Sequence, residues 1–184
     1  MGKKKNSLAI FTISIAGIIS LGWLGMKIAF RYAPAVERYI LESRSLRAGD
    51  AAPDFELTAL TGETVRLSQF RGKPVLLSMG ATWCPDCRRE APLLEELHQT
   101  HLELVVLTVD IQESSQDVQQ FADEFGLTHP ILLDYDGEVK GLYQVFAIPT
   151  EFFIDEEGII RAKIIEQVTP QLLAEYLPLI GVTP

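Results

Sequence analysis

Residues 80–90 read Gly-Ala-Thr-Trp-Cys-Pro-Asp-Cys-Arg-Arg-Glu and contain both cysteines of the 184-residue chain. A largely apolar run, residues 74–79, precedes this stretch, and an amphipathic run that begins at Leu93 follows it. The pattern predicts a buried strand that turns into a helix at the cysteines. Residues i and i+3 on the first turn of a helix share a face, so Cys84 and Cys87 are close enough for a disulfide.

The start of a helix also favours redox chemistry at these cysteines. Free backbone N–H groups and the positive end of the helix dipole stabilise a thiolate there and lower the pKa of the thiol. We predict that Cys84, expected to be the more exposed of the two, is the attacking thiol and that Cys87 resolves the mixed disulfide. A static disulfide is the alternative, but a loop this short would stabilise the fold little. A zinc site would need a second cysteine pair or suitably spaced histidines, which the sequence lacks.

The motif resembles the active site of the thioredoxin superfamily, and the wider pattern resembles the membrane-tethered TlpA/ResA-like thiol–disulfide oxidoreductases of the redoxin (AhpC/TSA) group. Two further stretches carry the resemblance, Ala52-Pro53-Asp54-Phe55 upstream and Ile148-Pro149-Thr150 downstream. It covers roughly residues 48–180. It implies an α/β, thioredoxin-like fold with a mixed central sheet and helices on both faces, preceded by one N-terminal transmembrane helix.

The resemblance also implies the residues of the site. It implies a redox-active disulfide between Cys84 and Cys87 and a cis peptide bond at Ile148–Pro149, whose neighbouring backbone pairs with the substrate. The implied substrate-contacting residues are Trp83, Pro85, Ile148, Pro149 and Thr150. Trp83 is expected to shield and shape the site, although a simple packing role explains it nearly as well. Neither a cofactor nor a metal ion is expected beyond the disulfide.

Glu90 lies three residues after Cys87, on the same face of the predicted helix. In ResA-like proteins an acidic residue at this spacing is buried beneath the cysteines and assists proton transfer to the resolving thiol, so Glu90 is a candidate catalytic residue. The alternative is a solvated helix glutamate. Thioredoxin itself uses an aspartate on the preceding strand, where this chain has Ser78. Asp86 should raise the thiol pKa, whereas Arg88 and Arg89 should lower it, so the reduction potential is not determined by these residues.

Charge divides the chain into two parts. Residues 1–47 contain eight basic and two acidic residues, a net charge of +6, and residues 48–184 contain eight basic and 23 acidic residues, a net charge of −15. A domain with the strong negative charge of residues 48–184 is a poor candidate for binding nucleic acid, which is itself negatively charged. We predict a cytoplasmic basic tail at 1–7, a transmembrane anchor at 8–28, a juxtamembrane linker at 29–47 and a thioredoxin-like redox domain at 48–184.

The anchor prediction rests on residues 8–26, which are 19 residues without a charge. That length suffices to span the hydrocarbon core as a helix and exceeds the roughly 7–15 residues of a signal-peptide core. A cleaved signal peptide ending near Ala33-Pro34-Ala35 and a buried core helix are the alternatives. Basic residues flank both sides, so orientation comes from the resemblance, which implies a single-pass protein of the cell membrane with its redox domain on the extracytoplasmic side.

Hydrophobic periodicity predicts the remaining elements. Strands are expected near 55–57, 64–67, 104–109, 131–133, 152–154 and 159–165, with helices at 85–100, 115–125, 138–146 and from Thr169 onward. The first helix should continue past Pro92, and a part of residues 34–46 is expected to be helical. His98, His101 and His129 are interpreted as surface or capping residues.

The favoured function is dithiol–disulfide exchange with exported proteins, with the protein acting as a reductant, for example in cytochrome c maturation. The expected partners are exported thiol proteins, a membrane thiol-electron donor and the lipid bilayer. A peroxiredoxin is one alternative. Its P-x-x-x-[ST]-x-x-C pattern, aligned on Cys84, would require a proline where this chain has Leu77 and a serine or threonine where it has Ala81. A copper-binding assembly protein of the Sco type is another, but that family uses C-x-x-x-C and a distant downstream histidine, and no histidine follows His129.

Overall fold

The computed structural model describes residues 46–183. In chain order its elements are β1 (Glu56–Ala59), β2 (Thr64–Arg66), β3 (Val75–Gly80), α1 (Pro85–Thr100), β4 (Val105–Ile111), α2 (Ser115–Phe125), β5 (Ile131–Asp134), α3 (Glu138–Leu142), β6 (Thr150–Ile154), β7 (Ile160–Ile164) and α4 (Pro170–Tyr176). Short 3-10 helices follow β2 (Leu67–Phe70) and α4 (Leu177–Ile180).

The strands form one mixed sheet in the order β2-β1-β5-β4-β3-β6-β7. The central strands β3, β4 and β5 are parallel, and the pairings toward both edges are antiparallel. The terminal β6–β7 hairpin and the β1–β2 hairpin are where the sequence predicted them. Parallel central strands need helical crossovers, and α1 and α2 provide them. The predicted mixed sheet is therefore confirmed.

Side-chain alternation along β3 separates two apolar cores, one on each face of the sheet. Leu77 and Met79 pack in the same cluster as Val139 of α3. Leu76 points to the other face and packs with Leu94 of α1. The second face also carries α4 through Leu173, while α2 packs there against β5. Helices therefore cover both faces, as predicted, and α1 with the cysteines lies on the same face as α2 and α4.

Local capping explains where these helices begin. Cys84 is the N-cap of α1 and Pro85 occupies its first turn, a position where the missing proline N–H costs nothing. Ser114 caps α2 by accepting the N–H of Asp117, and Thr169 caps α4 in the same way through Leu172. As predicted, α1 continues past Pro92.

The helix predicted at 138–146 is shorter than expected and ends at Leu142. Gln144 takes a positive φ of 50°, which breaks the helical path, and the chain then enters the cis bond Ile148–Pro149. The apolar periodicity that suggested a longer helix is explained by Tyr143 and Val145, both buried in the core.

The predicted tail at 1–7, the anchor at 8–28 and nearly all of the linker at 29–47 lie outside the described residues, as does the expected helical part of 34–46. Among residues 46–183, no helix has both the length and the apolar character needed to cross a membrane.

Candidate active site

Cys84 and Cys87 form a disulfide whose Cα atoms are 5.3 Å apart. Cys84 Sγ accepts a hydrogen bond from the backbone N–H of Cys87 at 3.2 Å, so the sulfur lies at the N-terminus of α1 as predicted. Such a donor stabilises a thiolate at Cys84. The expectation that Cys84 is the more exposed is wrong, because Cys84 is 4% and Cys87 7% exposed. Its assignment as the attacking thiol therefore depends on the N-cap position and not on accessibility.

The turn before Cys84 is held by a residue that the sequence reasoning missed. Glu113, which follows β4, accepts hydrogen bonds from the backbone N–H and the hydroxyl of Thr82 at 2.6 and 2.7 Å. Arg88 donates to the carbonyl of Thr82 at 3.2 Å and pairs with Glu124 of α2. These contacts join the redox turn to the loop and helix after β4.

The charged residues around the motif are largely occupied with one another. Arg89 forms an ion pair with Asp86 and donates to Gln167 at 3.1 Å, while Arg88 lies over the rings of Phe121 and Phe125. Their influence on the cysteines is therefore smaller than the sequence alone suggests.

A groove of about 340 Å³, lined by apolar side chains and also by Gln112 and Lys140, lies beside the redox turn. Trp83 and Ile148 line it together with Phe146, which the sequence reasoning did not select. Trp83 is 69% and Phe146 90% exposed, so neither side chain serves core packing. Pro85 is also exposed, on the first turn of α1. Exposed aromatic side chains next to a reactive disulfide form a surface suited to a protein substrate.

The cis peptide bond at Ile148–Pro149 is confirmed. Pro149 is buried, and Thr150 begins β6 directly opposite Met79, one residue before β3 ends at Gly80. The register therefore brings the proline loop to the same end of the sheet as the redox turn. The Thr150 side chain is buried and donates to the carbonyl of Ala147 at 2.7 Å, so only its backbone is suited to contact a substrate.

Glu90 is buried as predicted, with 1% of its surface exposed, and a solvated glutamate is excluded. Its Oε2 accepts the backbone N–H of Val168 at 2.9 Å. Burial raises the pKa of Glu90 to about 7, against hydrogen bonds from Val168 and Glu151 that lower it. A carboxyl with this pKa exchanges its proton near neutral pH, which suits it to acid–base chemistry.

Glu151 of β6 is the buried partner of Glu90, and sequence reasoning missed it. Ser78 donates to its Oε1 at 2.9 Å, so the serine that replaces the expected strand aspartate binds a carboxyl instead. Burial and the neighbouring Glu90 raise the pKa of Glu151 well above its ordinary value. Two adjacent buried carboxylates cannot both be charged, so Glu151 holds a proton and can donate it to Glu90. An acidic residue within the apolar run 150–154 was the available signal.

A cavity of about 20 Å³ lies beneath Cys87 and is also lined by Glu90, Asp110 and His129. Asp110 lies one residue before the end of β4. It is only 4% exposed, and it forms no ion pair with any residue that the structure describes. Burial raises its pKa to about 8, with further contributions from Glu113 and Asp117. Asp110 was not selected from the sequence, although it interrupts the apolar run of β4.

His129 is not the surface residue that the sequence suggested. It is buried, and its ring nitrogens contact Thr108 at 2.9 Å and Glu95 at 2.9 Å. Burial lowers the pKa of His129, opposed by Glu95. With both nitrogens occupied, His129 is a poor candidate for a copper ligand. In the described part of the chain, no three His, Cys, Asp or Glu residues are grouped so as to hold a metal ion.

Comparison with known proteins places this geometry in a family. The model of the AhpC/TSA family matches residues 48–163. The thiol-disulfide oxidoreductase ResA of Geobacillus kaustophilus is 37% identical over 76% of this chain and 81% of its own length. ResA of Geobacillus thermodenitrificans is 34% identical over 95% of this chain and 97% of its own length.

A solved structure shares both the fold and the sequence similarity. The exposed lipoprotein thioredoxin Etrx1 of Streptococcus pneumoniae is 30% identical, with a TM-score of 0.60, over 71% of this chain and all of that one. The family match, the curated relatives and the described site agree. The chain belongs to the AhpC/TSA family and, within it, to the ResA-like thiol–disulfide oxidoreductases.

Proposed function

We propose that this protein is a membrane-tethered reductant that exchanges its Cys84–Cys87 dithiol with disulfides of exported proteins. The observation that carries the proposal is the cysteine pair at the start of α1, with a buried carboxyl, Glu90, lining the cavity under the resolving sulfur. A purely structural disulfide would not need an acid–base group in that position.

The first step uses the sulfur at the N-cap. The Cys84 thiolate attacks one sulfur of the substrate disulfide, the substrate S–S bond breaks, and the other substrate sulfur leaves with the electron pair and takes up a proton. A mixed disulfide between Cys84 and the substrate results. The backbone N–H of Cys87 donates a hydrogen bond to Cys84 Sγ and so stabilises the attacking thiolate. Because this hydrogen bond lies within the first turn of α1, it is in place before the substrate arrives.

The second step requires removal of a proton from the buried Cys87. Glu90 in its carboxylate form accepts that proton, and the Cys87 thiolate attacks Cys84 Sγ. The Cys84–Cys87 bond forms, the bond from Cys84 to the substrate breaks, and the second substrate sulfur leaves as a thiol. Two electrons have passed to the substrate, and a thiol donor in the membrane returns the dithiol to its reduced state.

The groove beside the turn supplies the binding surface for the substrate. Trp83, Phe146 and Ile148 offer apolar contacts, and the backbone at Thr150 lies next to them for strand-like pairing. The uncharged residues 8–26 support the tether, and the ResA relatives, which are named thiol-disulfide oxidoreductases, support disulfide exchange. The reducing direction and substrates such as the exported thiol proteins of cytochrome c maturation are part of the proposal.

The reduction potential tests the proposal. The detergent-solubilised full chain is equilibrated with glutathione and dithiothreitol buffers, with Cys84→Ser as the redox-dead control. A potential near or below about −270 mV supports a reductant supplied by a membrane donor. A potential near about −120 mV would make the protein an oxidant, and the lack of a reversible couple would refute exchange altogether.

A further inference from the structure

Asp110 is a buried acid at the end of β4 that the reaction described above does not use. It lies directly opposite Gly80 in the parallel β3–β4 register. Its Oδ1 is fully buried and has no hydrogen-bond partner among residues 46–183. An orphaned carboxyl oxygen in a protein interior is costly, so its retention next to a reactive site needs an explanation.

The missing side chain of Gly80 lets the resolving sulfur approach this acid. A Cβ atom on Gly80 would lie 3.0 Å from Cys87 Sγ, closer than ordinary contacts allow. Cys87 and Asp110 consequently line one cavity of about 20 Å³, together with Glu90. A volume of this size holds one water molecule, which can relay a proton between the sulfur and the carboxyl.

Glu113 extends this arrangement toward solvent. It is half-buried, it lies close enough to raise the pKa of Asp110, and it holds the redox turn through Thr82. The other titratable groups that face Asp110 are Asp117 of α2 and, across the cavity, Cys87 and Glu90 of α1 with His129 before β5. The negative neighbours and burial keep a proton on Asp110 at neutral pH.

We propose that Asp110 supplies the proton to the Cys87 sulfur when the disulfide is reduced, and that Glu113 connects Asp110 to solvent. An incoming thiolate attacks Cys84, the Cys84–Cys87 bond breaks, and Cys87 Sγ leaves with the electron pair. The neutral carboxyl of Asp110 protonates this sulfur and becomes a carboxylate, which is reprotonated through Glu113. In the reverse step, when Cys87 attacks the mixed disulfide, Glu90 accepts the Cys87 proton as described above. This inference rests on the proposed dithiol–disulfide exchange.

Single-turnover reduction of the full chain by dithiothreitol tests the inference between pH 5.5 and 9.5. The variant is Asp110→Asn, and the matched control is Asp123→Asn, the same change at an exposed position of α2. We expect Asp110→Asn to be reduced about tenfold more slowly than the wild type at pH 6–7. Removal of a sole general acid would slow the reaction roughly 100-fold or more, but here Glu90 remains as a second acid. The deficit should vanish above the pKa of Asp110, about 8, where the wild type has also lost this proton.

A rate ratio between wild type and Asp110→Asn that is the same at every pH would reduce Asp110 to a structural role and overturn the inference. Equal rates throughout would overturn it as well. In either case a wild type that still cycles reversibly leaves the proposed exchange function standing, whereas a wild type that dithiothreitol cannot reduce refutes the exchange function itself.

A measurement on the wild type avoids the risk that the variant fails to fold. Infrared difference spectra between oxidised and reduced protein, labelled with carbon-13 at the aspartate carboxyls, report the carbonyl band of a protonated aspartate. We expect such a band in the oxidised state and a change of its intensity or frequency on reduction. The absence of a protonated aspartate at pH 7 would overturn the inference.

Discussion

Glu90 of α1 and Glu151 of β6 are neighbouring buried carboxyls on the face of the sheet that carries the redox disulfide. Only one of the two can be charged, because no cation compensates a second buried charge among their described contacts. The pair thus stores one exchangeable proton within reach of the resolving cysteine. It combines an acid at the spacing seen in ResA-like proteins with a second acid contributed by the strand after the cis-proline.

The pair should make the stability of the oxidised domain fall as pH rises. The folded-state pKa values lie above the unfolded value of 4.5, that of Glu90 at about 7, so the stabilising effect is complete below pH 4.5 and is lost as pH rises through 7. We expect the free energy of unfolding by urea to fall by about 1–3 kcal/mol between pH 5 and pH 8.

Glu90→Gln removes the carboxyl of the pair that loses its proton near pH 7 and should flatten that profile. The variant should unfold at higher urea concentration than the wild type at pH 8, because a neutral amide costs less to bury than a carboxylate. Glu166→Gln, at an exposed position after β7, is the matched control and should keep the wild-type slope. Parallel profiles for the wild type and Glu90→Gln would contradict the assignment.

The two cysteines should behave differently when each is removed. Cys87→Ala leaves the attacking thiol without its resolving partner, so it should accumulate a mixed disulfide with a peptide disulfide substrate. Cys84→Ala should accumulate little, because Cys87 is not at the N-cap of α1 and lacks the stabilisation that this position gives a thiolate. Intact-protein mass spectrometry after a timed reaction distinguishes the adducts. A larger adduct yield for Cys84→Ala would reverse the assigned roles.

Gly80 should tolerate no side chain while Cys87 keeps its position. Gly80→Ala places a Cβ atom 3.0 Å from Cys87 Sγ, and overpacking of this kind costs about 1–3 kcal/mol. Gly141→Ala is the matched control, since nothing lies within 4 Å of its Cβ position and α3 gains helix propensity there. Urea unfolding of the oxidised proteins should therefore move in opposite directions for the two variants. A stability of Gly80→Ala at or above the wild type would refute the close approach.

The exposed Phe146 should matter for protein substrates and not for small thiols. Phe146→Ala should raise the KM for a protein disulfide about five- to tenfold, the range expected for an aromatic contact at an interface, and leave the rate with dithiothreitol unchanged. Leu102→Ala removes a comparably exposed apolar side chain after α1 and should change neither. Equal losses with both reductants would indicate damage to the redox centre instead of lost substrate binding.

The sequence predicted those features that depend on neighbouring residues. The cysteine spacing and the helix after it depend on local periodicity and on a short motif, whereas the burial of Glu90 was implied by the resemblance to ResA-like proteins, and the structure agrees with each. The length of the helix predicted at 138–146 was wrong, because the positive φ of Gln144 breaks the helical path although the apolar pattern continues through Tyr143 and Val145.

The partners across the sheet were not predictable in the same way. Ser78 and Glu151 are 73 residues apart in sequence, and their hydrogen bond depends on the antiparallel pairing of β3 with β6. Asp110 meets Cys87 only because β4 lies beside β3 in a register that places it opposite Gly80. A single acidic residue inside each apolar strand was the only local sign, and periodicity alone cannot say what such a residue faces.

The buried pair of Glu95 and His129 should govern the acid stability of the domain. Glu95 accepts hydrogen bonds from the backbone of Thr128 at 2.8 Å and from the ring of His129 at 2.9 Å. Burial acts to raise the pKa of Glu95, but hydrogen bonds from Thr128 and His129 outweigh it and lower the pKa to about 2. Because the folded pKa is below the unfolded value of 4.5, the stabilisation is complete above pH 4.5 and is lost as pH falls through 2.

Glu95→Gln should therefore lower the free energy of unfolding by about 2–3 kcal/mol at pH 7, and the deficit should shrink as the pH is lowered from 5 to 3. Glu96→Gln, at the adjacent and exposed position of α1, makes the same chemical change without these contacts and should cost less than about 0.5 kcal/mol. Urea unfolding monitored by circular dichroism gives both values. A deficit for Glu95→Gln that stays constant from pH 7 to pH 3 would mean that lost packing, and not the charge of Glu95, causes it.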